Sequence, residues 1–269
     1  MEYFQGKSAL VMGGSEGIGL AISLELVTRG THVTVCSRDP GKLQRALQAM
    51  ETFRVHPQQR LSTQSVDVTD YESTHHRLES ILGQDGPPEF LINSAGAACP
   101  GFLEELEMSD IRYMMGLNYF GTVNVIKAVY PAMRRARRGH IVNVSSMAGY
   151  LGLFGYTGYC ASKYAVIGFS EALRHEVKPF GIHVSVLCPP NTKTPGLERE
   201  NQTKPAEVLK MEEKVKSVHP QVVAKALLRS LPHHPFLINP TMDSKLVFGA
   251  TRLLPYFVKE YFLQRPPPR

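Results

Sequence analysis

The chain has no tryptophan, only four cysteines among 269 residues, and no apolar run built to cross a membrane. Cys36, Cys99, Cys160 and Cys188 stand far apart, without a C-x-x-C pair or a metal-type histidine spacing. A disulfide framework is therefore excluded and no metal site is expected. That cysteine usage fits a reducing, cytoplasmic compartment. Ile141 to Ser162 lacks charge over 22 residues but carries Gly149, Gly152, Gly155 and Gly158 among Ser, Thr and Tyr, which is poor spanning material. The opening Met1-Glu2-Tyr3-Phe4-Gln5-Gly6 is short and polar and runs straight into an apolar strand, so no secretory leader is expected. Low-complexity tracts are missing as well, which removes the fibrous and disordered classes. Charge is only mildly one-sided, at a net +6, with one dense cluster at Arg134-Arg135-Ala136-Arg137-Arg138. This balance favours anionic ligands or an acidic membrane surface and argues against nucleic acid.

What is present is a 43% hydrophobic chain of a length that buries one sizeable core, so residues 1–269 read as a single domain. Short apolar runs alternate with segments of helical period through the first 190 residues. Strands are expected at Ser8–Met12, His32–Cys36, Leu61–Val66, Phe90–Ile92, His140–Val144 and His183–Leu187. Helices are expected near Ile18–Thr28, Lys42–Thr52, Tyr71–Leu82, Ser109–Met133 and Tyr159–Lys178. Such repeated βαβ units make an α/β fold, a Rossmann-type doubly wound parallel sheet with helices on both faces. After Cys188 the pattern loosens into Pro189-Pro190-Asn191-Thr192, then polar helical sequence to about Ser217 and a helix near Gln221–Ser230. Irregular sequence of this kind, here residues 190–230, is expected to cover the substrate. Residues 240–269 form a helical tail whose apolar face, Leu246, Phe248, Leu253, Leu254 and Phe257, is flanked by Lys245, Arg252, Lys259 and Glu260. It fits either a membrane-surface helix or one packed on the domain.

The first strand runs directly into Gly13-Gly14-Ser15-Glu16-Gly17-Ile18-Gly19 and a helix. Glycines at this spacing let a backbone turn tightly against a pyrophosphate, whose charge sits at the helix N-terminus. Gly13, Ser15, Glu16, Gly17, Ile18 and Gly19 are thus candidate dinucleotide contacts. At the end of the second strand, where an NAD site places a carboxylate for the ribose, the chain has Ser37 followed by Arg38. A missing acid and a fixed guanidinium favour the 2′-phosphate of NADPH, with Lys42 as a second cation. A local Arg38–Asp39 pair is the competing reading, and the carboxylate of Glu16 opposes a phosphate unless it turns to solvent.

Tyr159 and Lys163 are four apart on a helix and share a face. A phenol of pKa ~10 is a poor acid–base at neutral pH, and a neighbouring ammonium is expected to lower it. Ser146 follows the strand His140–Val144, and Asn118 lies in the long helix before it.

Together these residues make the chain resemble the short-chain dehydrogenase/reductases over at least residues 7–195. The likeness rests on Gly13-x-x-x-Gly17-x-Gly19, Asn93-Ser94-Ala95-Gly96, Leu117-Asn118-Tyr119, Ser146 and Tyr159-Cys160-Ala161-Ser162-Lys163. It implies that Tyr159 donates the proton, Ser146 hydrogen-bonds the substrate carbonyl, Lys163 holds the nicotinamide ribose and Asn118 supports a proton relay. It also implies that Asp67 contacts the adenine, that Asn93 and Thr192 belong to the cofactor site, and that the helices bearing Asn118 and Tyr159 associate into a homodimer or homotetramer. The chain departs from the family pattern at Met12, where Thr is usual, and at Pro189-Pro190, where Pro-Gly is usual.

Within the family, Gly149-Tyr150-Leu151-Gly152-Leu153-Phe154-Gly155-Tyr156, Glu176-Val177-Lys178-Pro179 and the run from Pro189 to Gly196 are similar to reductases of 3-oxosphinganine. That likeness implies NADPH-dependent reduction of the ketone of 3-oxosphinganine to sphinganine; the chain departs from animal-type members in its N-terminal hydrophobic anchor and its earlier end, from which a soluble form, or one held peripherally on the cytoplasmic face of a membrane, is expected. Leu151, Leu153, Phe154 and Tyr156 supply apolar surface for such a ketone. A steroid, retinoid or oxoacyl ketone is the alternative substrate, and a non-catalytic NADPH-binding protein the alternative class.

Overall fold

Period-two alternation decides where each strand sits. In β1 (Ser8–Met12), Ala9 and Val11 enter one apolar layer while Leu10 and Met12 enter the other, so both faces of the sheet must be covered. The computed structural model describes residues 2–213 and 215–255. In chain order its elements to the first crossover are β1, α1 (Gly17–Val27), β2 (His32–Ser37), α2 (Pro40–Thr52), β3 (Leu61–Ser65), α3 (Tyr71–Asp85) and β4 (Phe90–Asn93). There follow α4 (Met108–Met114), α5 (Gly121–Ala136), β5 (Gly139–Val144), α6 (Thr157–Val177) and β6 (Ile182–Leu187). The last are α7 (Pro195–Asn201), α8 (Ala206–Glu212), α9 (Pro220–Ser230), β7 (Leu237–Ile238) and α10 (Met242–Leu253).

The strands form one parallel sheet in the order β3-β2-β1-β4-β5-β6-β7. One layer packs Ile22 and Leu26 of α1 and Val223 and Leu227 of α9 on the sheet; the other packs Leu78 of α3, Val125 and Val129 of α5 and Leu173 of α6. Strand order reverses between β1 and β4, and a crevice opens there beyond the strands' carboxyl ends, where ligands bind in such folds.

The six strands read from the sequence match to within one residue at each end. Two helical expectations differ. Ser109–Met133 is not one helix: a π-helical turn at Met115–Phe120 separates α4 from α5. The wider turn carries Leu117 and Asn118 inward, Asn118 to 1% exposure. The polar sequence before Ser217 divides into α7 and α8, because Pro205 cannot extend the first of them. All four cysteines are free, and no helix of the described residues is long and apolar enough to cross a membrane. Of the tail, α10 is described; Phe257, Lys259 and Glu260 lie outside the described residues.

Candidate active site

A cleft of about 910 Å3 lies over the carboxyl ends of the strands, floored by the loops after β1, β4 and β5 and roofed by the segment from Pro189 to Glu212. Gly13, Ser15, Glu16, Gly17, Ile18 and Gly19 all line it. The loop there is closely packed backbone on backbone. Gly13 has φ +71°, and a Cβ on it would sit 2.5 Å from the Ala95 amide nitrogen; one on Gly19 would strike the Gly13 carbonyl. Glu16 heads α1 without a side-chain cap bond, so first-turn amides face the cleft, ready for an anion. These features fit a dinucleotide pyrophosphate.

At the adenine end, Arg38 reaches over the cleft with its side chain half exposed and its guanidinium 3.8 Å from Asp67. The local partner considered from the sequence, Asp39, instead caps α2 by accepting the Lys42 amide. Asp67 also accepts both the amide and the hydroxyl of Thr69, at 3.0 and 2.7 Å. Glu16 does not turn to solvent: Lys42 Nζ lies 2.8 Å away, and Arg199 of α7 closes on the same carboxylate. Partial burial raises the Glu16 carboxyl, and the Arg199 and Lys42 hydrogen bonds outweigh it, leaving the group below the usual carboxylate range. Lys42 is thus committed to Glu16, whereas Arg38 has only the longer Asp67 contact.

At the other end, Ser146 follows β5, and its Oγ accepts the Ala148 amide at 3.1 Å, leaving its own proton free to donate. Tyr159, in the first turn of α6, hydrogen-bonds Ser146. Burial pushes the Tyr159 phenol above its ordinary value, the Ser146 bond pulls it back in part, and the charge of Glu200 raises it further. The lowering expected from Lys163 is not found. That ammonium is itself buried, lies 5.7 Å from the ring centroid, and donates to the Val144 carbonyl at 3.0 Å. Burial depresses it to about 8, so its charge is too costly there to dominate its neighbour.

Asn118 spends its whole side-chain amide on protein. Its Oδ1 accepts from the Ala97 amide at 2.9 Å, and its Nδ2 donates to the Ala97 carbonyl at 2.9 Å and to Ser162 Oγ at 2.8 Å. It therefore ties the loop after β4 to the second turn of α6, between Tyr159 and Lys163. Asn93 is buried and donates to Asn143 at 2.8 Å, so its side chain turns along the sheet and away from the cleft. Thr192 lines the cleft with its hydroxyl bonded to the Pro190 carbonyl at 2.7 Å.

The substrate side is lined by Leu106, Leu153, Tyr156 and Leu197, while Phe154 packs on Phe102 with ring centroids 5.3 Å apart. The sequence reading missed Arg199, Glu200, Lys204 and Glu212. All come from α7, α8 and the turn between them, where polar residues without period show no preferred inward face, and only the fold brings Arg199 to Glu16 and the other three to Tyr156.

Residues 7–205 match the family model for the short chain dehydrogenases. A 3-ketodihydrosphingosine reductase from Bos taurus is 40% identical over 247 residues, covering 91% of this chain and 74% of its own length. A 3-dehydrosphinganine reductase from Danio rerio shows the same identity and coverage. Among solved structures, actinorhodin polyketide ketoreductase with NADPH superposes with a TM-score of 0.77 at 26% identity, over 87% of this chain and 95% of that one. The Gly-rich loop and the Ser146, Tyr159 and Lys163 geometry thus sit within a match that spans most of the chain, and the protein belongs to the short-chain dehydrogenase/reductase family of oxidoreductases.

Proposed function

We propose that this protein reduces 3-oxosphinganine to sphinganine with NADPH. The observation that carries the reading is the Tyr159–Ser146 hydroxyl pair, set beside Lys163 in a cleft that also presents Leu106, Leu153 and Leu197, in a chain 40% identical to reductases named for that substrate. When bound, the dinucleotide supplies the hydride. Tyr159 then gives its proton to the carbonyl oxygen, and Ser146 donates to the same oxygen as negative charge develops there. Burial suits Tyr159 to this direction, because a raised phenol stays protonated until the acceptor becomes basic. Lys163 holds the cofactor ribose, and Asn118 keeps Ala97 and α6 in register for both. Gly13, Ser15, Gly17, Ile18 and Gly19 cradle the pyrophosphate, and Asp67 and Thr192 belong to the same cofactor surface, whereas Asn93 supports it from within the sheet through Asn143.

Exposed Leu103 and Met108, either side of the mouth residues Glu105 and Leu106, suit a long alkyl chain. On α10, exposed Met242, Leu246 and Leu253 alternate with Lys245 and Arg252, which supports contact with an anionic membrane surface. Exposed Phe120, beside α5, supports pairing with a second copy.

The test is loss of reduced-nicotinamide absorbance when the purified protein meets 3-oxosphinganine in detergent, beside a short ketone and a steroid ketone. Selective turnover of the long-chain base is expected; turnover of only the other two removes the substrate assignment. NADPH is favoured by Arg38, by the absent carboxylate at Ser37, and by the solved ketoreductase that carries NADPH. Arg38→Asp removes the guanidinium and adds repulsion, so NADPH affinity is expected to fall ~10- to 100-fold while NADH affinity changes little. Fluorescence titration with each nucleotide measures this, and an unchanged preference removes Arg38 as the phosphate contact.

A further inference from the structure

The substrate wall beside Tyr159 carries charge that hydride transfer to a ketone does not need. Tyr156, three residues before Tyr159, is 4% exposed, and its hydroxyl stands 2.7 Å from Glu200 Oε1 and 2.8 Å from Glu212 Oε1. One phenolic proton faces two carboxylates. Burial and both carboxylates push this phenol strongly upward, so it is a fixed donor and not a second acid. Lys204, whose side chain is wholly buried, is the only cation that the described residues bring into the group. It lies 2.6 Å from Glu212 Oε2 and 3.4 Å from Glu200 Oε1, with Asn201 Oδ1 at 2.7 Å.

Two carboxylates against one ammonium leave one formal negative charge, and the shorter Lys204 contact assigns the deficit to Glu200. Arg199, the adjacent residue, cannot supply it because it is turned to Glu16 across the cleft. Glu200, Glu212 and Tyr156 line the cleft that also holds Ser146 and Tyr159. Leaving carboxylate charge unpaired in a part-buried wall is unfavourable unless a cation arrives there.

Independently, the relatives' names specify a ketone whose neighbouring carbon bears an amine. A steroid, retinoid or oxoacyl ketone has no such cation. We propose that Glu200, oriented by Tyr156 and by the Lys204–Glu212 pair, binds the ammonium next to the reacting carbonyl and so selects α-amino ketones. This assignment rests on the substrate reading above. It gives the carbonyl two flanking anchors, Tyr159 with Ser146 on its oxygen and Glu200 on the adjacent nitrogen, which fixes the face presented for hydride attack.

The test compares 3-oxosphinganine with the same long-chain ketone lacking the amine, in wild type and Glu200→Gln. Because a charge-assisted hydrogen bond contributes ~1.5–3 kcal/mol, the ratio of kcat/KM for the amine over the amine-free ketone is expected to fall ~10- to 100-fold, mainly through KM. Glu200→Asp, which keeps the charge, is expected to retain part of the selectivity. NADPH titration and a thermal melt establish that each variant is folded. Equal losses on both ketones, or an unchanged ratio, overturn the assignment. Should wild type reduce amine-free ketones but not 3-oxosphinganine, the substrate reading fails, and inhibition by octadecylamine against octadecanol decides the Glu200 role. Amine-selective inhibition that weakens in Glu200→Gln supports it, and equal inhibition by the two overturns it.

Discussion

Replacing Tyr159 with Phe is expected to lower kcat for ketone reduction by about 10^3-fold, the scale of losing a positioned proton donor. NADPH affinity should stay within about twofold, because the ring and its packing remain and only the hydroxyl facing Ser146 is lost. Ser146 keeps its bond from the Ala148 amide, so the loop after β5 has no reason to collapse. Single-turnover kinetics with NADPH prebound separate the chemical step from binding. If the variant turns over at the wild-type rate, another group must donate, and the nearest phenol is Tyr156, its ring centroid 6.0 Å from that of Tyr159. Tyr156 is badly suited, since donating its proton would leave a phenolate against two carboxylates.

Lys163→Met is expected to separate activity from stability. Activity should fall at least ~10^2-fold, because the ammonium proposed to hold the ribose is gone. Stability should move differently, for a calculable reason. The unfolded ammonium titrates at about 10.5 and the folded one at about 8. The folded state therefore binds this proton less tightly, which costs about 3 kcal/mol whenever pH is below 8. That cost shrinks as pH rises from 8 and is gone above 10.5. Urea melts of both proteins at pH 7 and near pH 10 check the sign: wild type should gain on the variant as pH rises. At pH 7 the variant loses the donor to the Val144 carbonyl, ~1–3 kcal/mol, against relief of a similar penalty, so the two should melt close together. A stability difference that is flat with pH would falsify the buried-ammonium account.

How much of this was readable beforehand differs by residue. The glycines of the first loop and the Tyr159–Lys163 pair were legible because they act through local spacing, four residues on one helix face or a tight turn at a strand end. Strand positions were legible for the same reason, since β1 and β4 are nearly pure apolar runs. Contacts between distant segments were not. Lys42 reads locally as a phosphate ligand but stands 2.8 Å from Glu16, and nothing local announces that Arg199, 183 residues beyond Glu16, shares that carboxylate. The π-helical turn at Asn118 was hidden as well, because helical backbone runs without a break from Met108 to Ala136 on either side of it.

The Glu16–Arg199 contact spans the cleft from the Gly-rich loop to α7, and both side chains are substantially exposed. An exposed ion pair contributes at most ~1 kcal/mol, which by itself leaves it broken in at least about one molecule in six. This tie between loop and roof is weak and weakens further as salt shortens the Debye length to ~8 Å at physiological strength, whereas the Tyr156 bonds to Glu200 and Glu212 hold the same roof from the substrate side. Salt therefore acts on the exposed tie between the Gly-rich loop and α7, while the buried ammonium of Lys163 at the other end of the same cleft is screened much less.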